Sequence, residues 1–267
     1  MKYTIMKIIV CMKQVPAVTK VDIDPETGAM KRMSWDTRTK NYDMFALETA
    51  IRLREQVGGT VTVLTMGPPQ AEPMVRDAYT MGADDAVILS DRKFAGADVL
   101  ATSYALSQAS QVLGGADLIV CGRQTTDGDT AQVGPAIAEH LHIPHAAWVA
   151  EVTEADAKAI TVRQELVSVS QVSKIPYPCL ITVDKDMCVP RLPSYQLKKQ
   201  TKERPVRIMT FEDMPDKNLS RYGLIGSPTA VERMFAPPEA EKKVYLEGTS
   251  DEKAEKLFGI LTGKKLI

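Results

Sequence analysis

No apolar run in this sequence approaches the roughly 20 residues that a membrane helix needs. The N-terminal run Ile8 to Met12 is too short for the core of a signal peptide and is cut by Lys13, so the chain reads as soluble and cytoplasmic. An excess of one charge is missing too. Thirty-three basic residues against 34 acidic ones give a net charge of -1, which offers no global case for nucleic acid or a membrane surface. The basic residues between Lys198 and Arg207 have no interleaved aromatic except the preceding Tyr195, and read as a solvated or protein-docking surface. Cysteine is scarce. Cys11, Cys121, Cys179 and Cys188 form no Cys-x-x-Cys pair, and the first three lie in apolar strand-like runs, so reduced thiols are expected in place of a disulfide or metal site. His140, His142 and His145 make no metal set, because 140 and 142 point about 200° apart on a helix and no acid or thiol completes them. There is no Walker loop, no Gly-x-Gly-x-x-Gly, and no Ser-His-Asp or Cys-His arrangement. The chemistry must come from a bound cofactor.

What is present is an alternation. Apolar strands at 7–12, 61–66, 86–90 and 117–121 alternate with amphipathic helices at about 43–57, 69–82, 98–113 and 130–141. This predicts a doubly wound α/β fold with a mainly parallel sheet covered on both faces. In the first helix Ala46, Ala50, Leu53 and Val57 fall on one face, which leaves Glu48, Arg52 and Glu55 for water. Residues 17–40 carry the turn signal Asp24-Pro25-Glu26-Thr27-Gly28 and read as a hairpin-like excursion. Beyond Ala146 the pattern changes to consecutive β-like segments at 146–153, 159–163, 166–173 and 179–183, suited to an edge or antiparallel extension of the sheet. The organisation expected is therefore an α/β domain with β extension over 1–184, a protruding partner-docking arm over 185–217, and a tail over 218–267 that wraps the body or another subunit and ends in a helix near Asp251 to Leu261.

The most informative stretch is Leu118 to Ile143, LIVCGRQTTDGDTAQVGPAIAEHLHI, where an apolar strand runs into a loop rich in glycine, acid and hydroxyl and then into a helix. Gly122 and Gly128 let the backbone turn tightly and lie close to a ligand. Asp129 reads as the helix N-cap, with free donors at Thr130, Ala131 and Gln132 placed for a phosphate or pyrophosphate and Arg123 as counter-charge. Pro135 fits poorly deep inside a helix, so the start of the regular helix is left open between 130 and 135.

CGRQTTDGDTAQVGPAIAEHL closely resembles the segment that marks the small (beta) subunit of electron-transferring flavoproteins: a glycine, a basic residue, Gln, two small or apolar residues, then Asp-Gly-Asp-Thr-Ala-Gln. IIVCMKQVP at 8–16, the Asn41 to Arg54 segment, VTVLTMGPPQA at 61–71 and MGADDAVILSDRKFAGAD at 81–98 extend the likeness over nearly the whole chain, with weaker stretches at 17–40 and beyond 185. The resemblance implies a Rossmann-like, adenine-nucleotide-binding domain. Its pocket would be walled by Cys11, Asn41, Met66 and the run Gly122-Arg123-Gln124-Thr125-Thr126-Asp127-Gly128-Asp129-Thr130-Ala131-Gln132-Val133. Ordinary members hold AMP there, while bifurcating members hold a second FAD, oxidise NADH, and split the electrons between ferredoxin or flavodoxin and a partner dehydrogenase. Val133 in place of a threonine, the block Ser90 to Asp98, and Ala101-Thr102-Ser103 resemble the bifurcating branch. On that reading Phe94, Gly96 and Asp98 shape an NADH site. The partners implied are a large (alpha) subunit and an acyl-CoA dehydrogenase, enoyl-CoA reductase or 2-hydroxy acid dehydrogenase, with Tyr195 and Leu197 where the family carries its docking anchor. An ordinary AMP-holding carrier, and a universal-stress-type nucleotide-binding module of the same fold, stay open as alternatives.

Overall fold

The computed structural model describes residues 6–16, 37–39, 41–125, 128–185, 187–232 and 245–267. It divides into a large unit, 1–22 with 30–232, and a small one, 23–29 with 233–267. The large unit runs β1 (Lys7–Cys11), β2 (Gln14–Pro16), β3 (Thr37–Thr39), α1 (Asn41–Val57), β4 (Thr60–Met66), α2 (Glu72–Met81), β5 (Asp85–Leu89), α3 (Val99–Val112), β6 (Leu118–Gly122) and α4 (Val133–Leu141). It continues with β7 (His145–Ala155), β8 (Ala159–Glu165), β9 (Ser170–Pro176), β10 (Cys179–Val183), α5 (Tyr195–Gln200) and β11 (Arg207–Met209). Nine strands form one sheet in the order β11-β5-β4-β1-β6-β10-β7-β8-β9, parallel except for the β7-β8-β9 edge.

Side chains that alternate along each central strand build two cores. Ile8, Val10, Val61, Val63, Leu118 and Val120 face α1 and α2, whereas Ile9, Leu64, Ile119 and Leu180 face α3 and α4. The split follows from crossover handedness. The chain moves from β1 to β4 to β5 in one direction with α1 and α2 on one face, then runs back past β1 to β6, so a right-handed connection puts α3 on the other. Both faces of β1 and β6 are thereby covered, which is why their residues are apolar without alternation. The strands and helices anticipated from the alternation are all found, within a few residues at their ends.

The structure corrects four expectations. Glu48 does not face water: it is 2 % exposed and accepts from Arg52 Nε at 2.6 Å and Arg191 Nε at 2.9 Å. The β extension is only partly an edge, because β10 returns to lie between β6 and β7, parallel to both. The 185–217 stretch follows the body where an arm was expected. Arg191 binds Glu48 and Glu55, Tyr79 donates to the Pro205 carbonyl at 2.8 Å, β11 adds to the sheet beside β5, and Phe211 and Met214 are buried. Its anchors are single side chains, which leave no periodic signature. Residues 218–232 likewise belong to the large unit, with Tyr222 buried against Phe94, Tyr104 and Phe211. The excursion expected over 17–40 lies outside the described residues, apart from 37–39, which pair antiparallel with β2.

The small unit contains α6 (Ser250–Gly263), started by a reciprocal cap between Thr249 and Glu252. No residue of α6 is buried. Among the described residues no helix is long and apolar enough to cross a membrane.

Candidate functional site

β1 has β4 on one side and β6 on the other, and the connections after β1 and after β5 leave it in opposite directions. This makes the carboxyl ends of β1 and β6 the switch point of the sheet, where open α/β folds open a crevice. Cys11 ends β1, Met66 ends β4 and Gly122 ends β6. Strand alternation turns Cys11 and Met66 to the α3/α4 face, where they pack with Val133 against the same core. On the opposite face Gly122 lies on the first turn of α1, which Asn41 opens. A Cβ on Gly122 would sit 2.8 Å from the backbone and Cβ of Tyr42 and would collide with the Asp43 carboxylate. Asp43 in turn accepts from the Lys13 amide at 2.7 Å. Glycine is thus what allows β6, α1 and the chain after β1 to meet at one point.

The chain then leaves β6 through Arg123, Gln124 and Thr125, while Thr126 and Asp127 lie outside the described residues. Thr125 gathers the loop, accepting from the amides of Gly128 and Asp129 at its hydroxyl and from Asp129 again at its carbonyl. Asp129 and Ala131 adopt φ of 47° and 55°, the left-handed region, and α4 begins only at Val133. The N-cap is therefore Gln132, with no side-chain cap, and the expectation that Asp129 caps the helix is overturned: two left-handed residues cannot continue into a right-handed turn. Pro135 takes the third helical position, where its missing N–H would have had no partner within the helix. Gly134 lets α4 settle on the sheet, since a Cβ there would come within 2.5 Å of Thr182 Cγ2. Among the described residues no protein acceptor meets the N–H groups of Thr130, Ala131, Gln132 or Val133. Left-handed Ala131 followed by right-handed Gln132 is the arrangement that gathers successive amides into an anion-binding concavity, at the positive end of a helix.

Arg123 is not a free counter-charge. Its Nη1 lies 2.6 Å from Asp184 Oδ2, and its guanidinium stacks 4.2 Å from the centroid of Trp148. Neither partner was singled out from sequence. The available signal was the position of Asp184 at the carboxyl end of a fully apolar strand run, the side of a parallel sheet that binds ligands.

The residues proposed for an NADH site are engaged otherwise. Phe94 is 4 % exposed, with the ring of Tyr222 at 5.7 Å, and so cannot present its face to a ligand. Gly96 has φ of 73° and lies under Leu224, to whose Cβ an added Cβ would come within 3.1 Å. Asp98 caps α3 by accepting from the Ala101 amide at 3.1 Å, and also accepts from Thr229 Oγ1 at 2.7 Å. Of the docking candidates, Tyr195 is 75 % exposed, and Val189 and Leu192, a few residues earlier in the chain, are exposed too, whereas Leu197 is half-buried beside Tyr79 and Arg204. His142 closes α4 in a left-handed conformation and His140 stacks edge-on to Tyr104. All four cysteines are free thiols, and burial pushes Cys179 up to about 12.

The electron transfer flavoprotein domain model matches residues 27–214. The chain is 43 % identical over 244 residues to protein FixA of Sinorhizobium fredii, covering 89 % of this chain and 86 % of that protein. It is 40 % identical over 269 residues to the acryloyl-CoA reductase electron transfer subunit gamma of Anaerotignum propionicum, covering 98 % of this chain and all of the relative. Identity is again 40 %, over 264 residues and with the same coverage, to the caffeyl-CoA reductase-Etf complex subunit CarD of Acetobacterium woodii. The match to the domain model and the relatives aligned over most or all of their length make this chain a beta-type subunit of the electron transfer flavoprotein family.

Proposed function

We propose that the crevice between β1 and β6 holds FAD, and that the chain works with a large subunit to take electrons from NADH. The electrons would be divided between a ferredoxin- or flavodoxin-type acceptor and a partner acyl-CoA dehydrogenase or enoyl-CoA reductase. The observation that carries this reading is the run 130–133, whose amides have no protein acceptor among the described residues at the start of α4. The donor set fits an adenine dinucleotide. Amides of Thr130 to Val133 would bind the pyrophosphate, and Cys11, Met66 and Val133 would form an apolar wall. Val133 puts an isopropyl group where a hydroxyl would have offered another phosphate donor, which favours the larger ligand over AMP. FAD supplies the hydride and one-electron chemistry when bound, and the protein supplies position and electrostatics. The relatives named as subunits of acryloyl-CoA and caffeyl-CoA reductase complexes support a CoA-thioester partner. Family membership sets aside the universal-stress alternative, whose members work without a flavoprotein partner.

Exposed Tyr195, with Val189 and Leu192, is the surface offered to the dehydrogenase. Tyr195→Ala is expected to weaken that complex by about 2 kcal/mol in a binding titration, as loss of an aromatic hot spot does; unchanged affinity would move the anchor elsewhere. The deciding experiment for the pocket is a cofactor count on the co-purified heterodimer. Two FAD per pair are expected, and one FAD with one AMP would replace this reading by that of the ordinary carrier.

A further inference from the structure

Beside the crevice, β6 and β10 end next to a bulge of β7 in a charge cluster that phosphate binding does not require. Arg123 is the first residue after β6, and its amide donates to the Val183 carbonyl at 2.9 Å. Asp184, the first residue after β10, meets its guanidinium at 2.6 Å. Both side chains are mostly out of water, at 27 % and 17 % exposure, so the pair is weakly screened. The third member is Trp148, in a bulge of β7. Between the pairs Ile181/Ala146 and Val183/Val149, β7 uses one residue more than β10. In that bulge Trp148 adopts φ of 59°, a left-handed backbone that a bulky aromatic adopts only where its surroundings enforce it, and its amide donates to Thr182 Oγ1 at 3.0 Å. The bulge sets the indole under the guanidinium at 4.2 Å. The buried Nε of Arg123 meets no acceptor, so the stack and the one carboxylate fix the cation.

An uncompensated arginine at the mouth of a phosphate site strengthens binding with every negative charge the ligand adds; a compensated one does not. We propose that Asp184 and Trp148 are positioning residues that hold Arg123 as a neutralised, stacked cation, so that the pocket discriminates against nucleotides of higher charge, triphosphates above all, and selects by shape. The proposal rests on the nucleotide reading above. Adjacent strands are about 4.8 Å apart, so the cluster lies within about one Debye length, ~10 Å at 0.1 M salt, of a phosphate at the end of β6.

The test is calorimetric titration of the full chain with AMP, ADP and ATP at low and high salt. Asp184→Asn frees the cation and is expected to raise ATP affinity relative to AMP by about fivefold at low ionic strength, an effect that shrinks at high salt. Arg123→Gln combined with Asp184→Asn removes both charges and is expected to restore the parent ratio. Trp148→Phe, which keeps a ring face, should hold that ratio, and Trp148→Leu should shift it toward that of Asp184→Asn. A merely structural role would change all three affinities alike and ignore salt. An equal change for AMP and ATP, or a ratio indifferent to salt, would overturn the proposal while leaving the pocket assignment intact. A parent chain that carries no FAD and takes up neither FAD nor any adenine nucleotide would overturn both.

Discussion

Two strand-to-helix loops reach the carboxyl edge of the same sheet, and they differ in what their polar groups do. In the loop after β5, Asp91 accepts from the amides of Lys93 and Phe211, the Ala95 carbonyl accepts from Leu224, and Asp98 accepts from Ala101 and Thr229. In the loop after β6, two residues adopt left-handed conformations, the helix begins without a side-chain cap, and four consecutive amides have no protein acceptor among the described residues. Both loops read alike in sequence, with glycine, aspartate and then a helix. What separates them is the 211–229 segment, which closes over the first and not the second. On the proposed reading, spare donors and not composition distinguish the loop that takes the ligand.

The largest effect expected in either loop is that of Phe94→Ala. Emptying the Phe94, Phe211 and Tyr222 cluster should cost about 4 kcal/mol in denaturant unfolding, with nucleotide affinity of the folded protein unchanged. Gly122→Ala should cost about 3 kcal/mol by overpacking against α1, and here bound nucleotide should be lost on gel filtration, because the crevice backbone must move. If Phe94→Ala released the nucleotide and Gly122→Ala kept it, the roles of the two loops would be reversed.

A smaller effect belongs to Asp98. Asp98→Ala should cost about 1 kcal/mol as a lost cap and leave the nucleotide in place. Burial pushes the Asp98 carboxyl up, but hydrogen bonds from Thr229 and Ala101 outweigh it and hold the group below its ordinary 3.8. The folded value being the lower one, its contribution to stability is whole above pH 3.8 and is lost as pH falls through the depressed value. Asp98→Asn should therefore flatten the acid limb of the stability curve, and a parent-like limb would contradict this account of the cap. Smallest of all is Ala131→Gly, where relief of left-handed strain offsets the greater freedom of glycine in the unfolded chain to within about 1 kcal/mol. Thermal unfolding should register little, and a loss of several degrees would mean that the Ala131 methyl group makes a contact the loop needs.

The alternating half of the fold was legible because strands buried on both faces leave unbroken apolar runs, as in Leu118 to Cys121, and amphipathic helices leave a stripe. Glu48 was misread for a reason no helical wheel contains: its partner Arg191 lies 143 residues further on. The end of β6 was legible from Gly122 and the apolar-to-polar change after it. The detail of the loop that follows was not, since an acid ahead of a helix looks like a cap until the backbone angles of Asp129 are known. Pro135 was the available correction, because proline suits the first turn and so argues for a start near Val133. Phe94 was read as ligand-facing because nothing local announces the distant Tyr222 that buries it.

Hydrogen exchange of the amides in the two loops, with and without bound adenine nucleotide, tests the contrast most directly. Strong protection on binding is expected at Thr130 to Gly134 and none at Ser90, Lys93, Phe94, Ala95 and Asp98, whose amides already donate to Met209, Asp91, Arg92 and Ser227. Protection at 90–98 with 130–134 unchanged would contradict it.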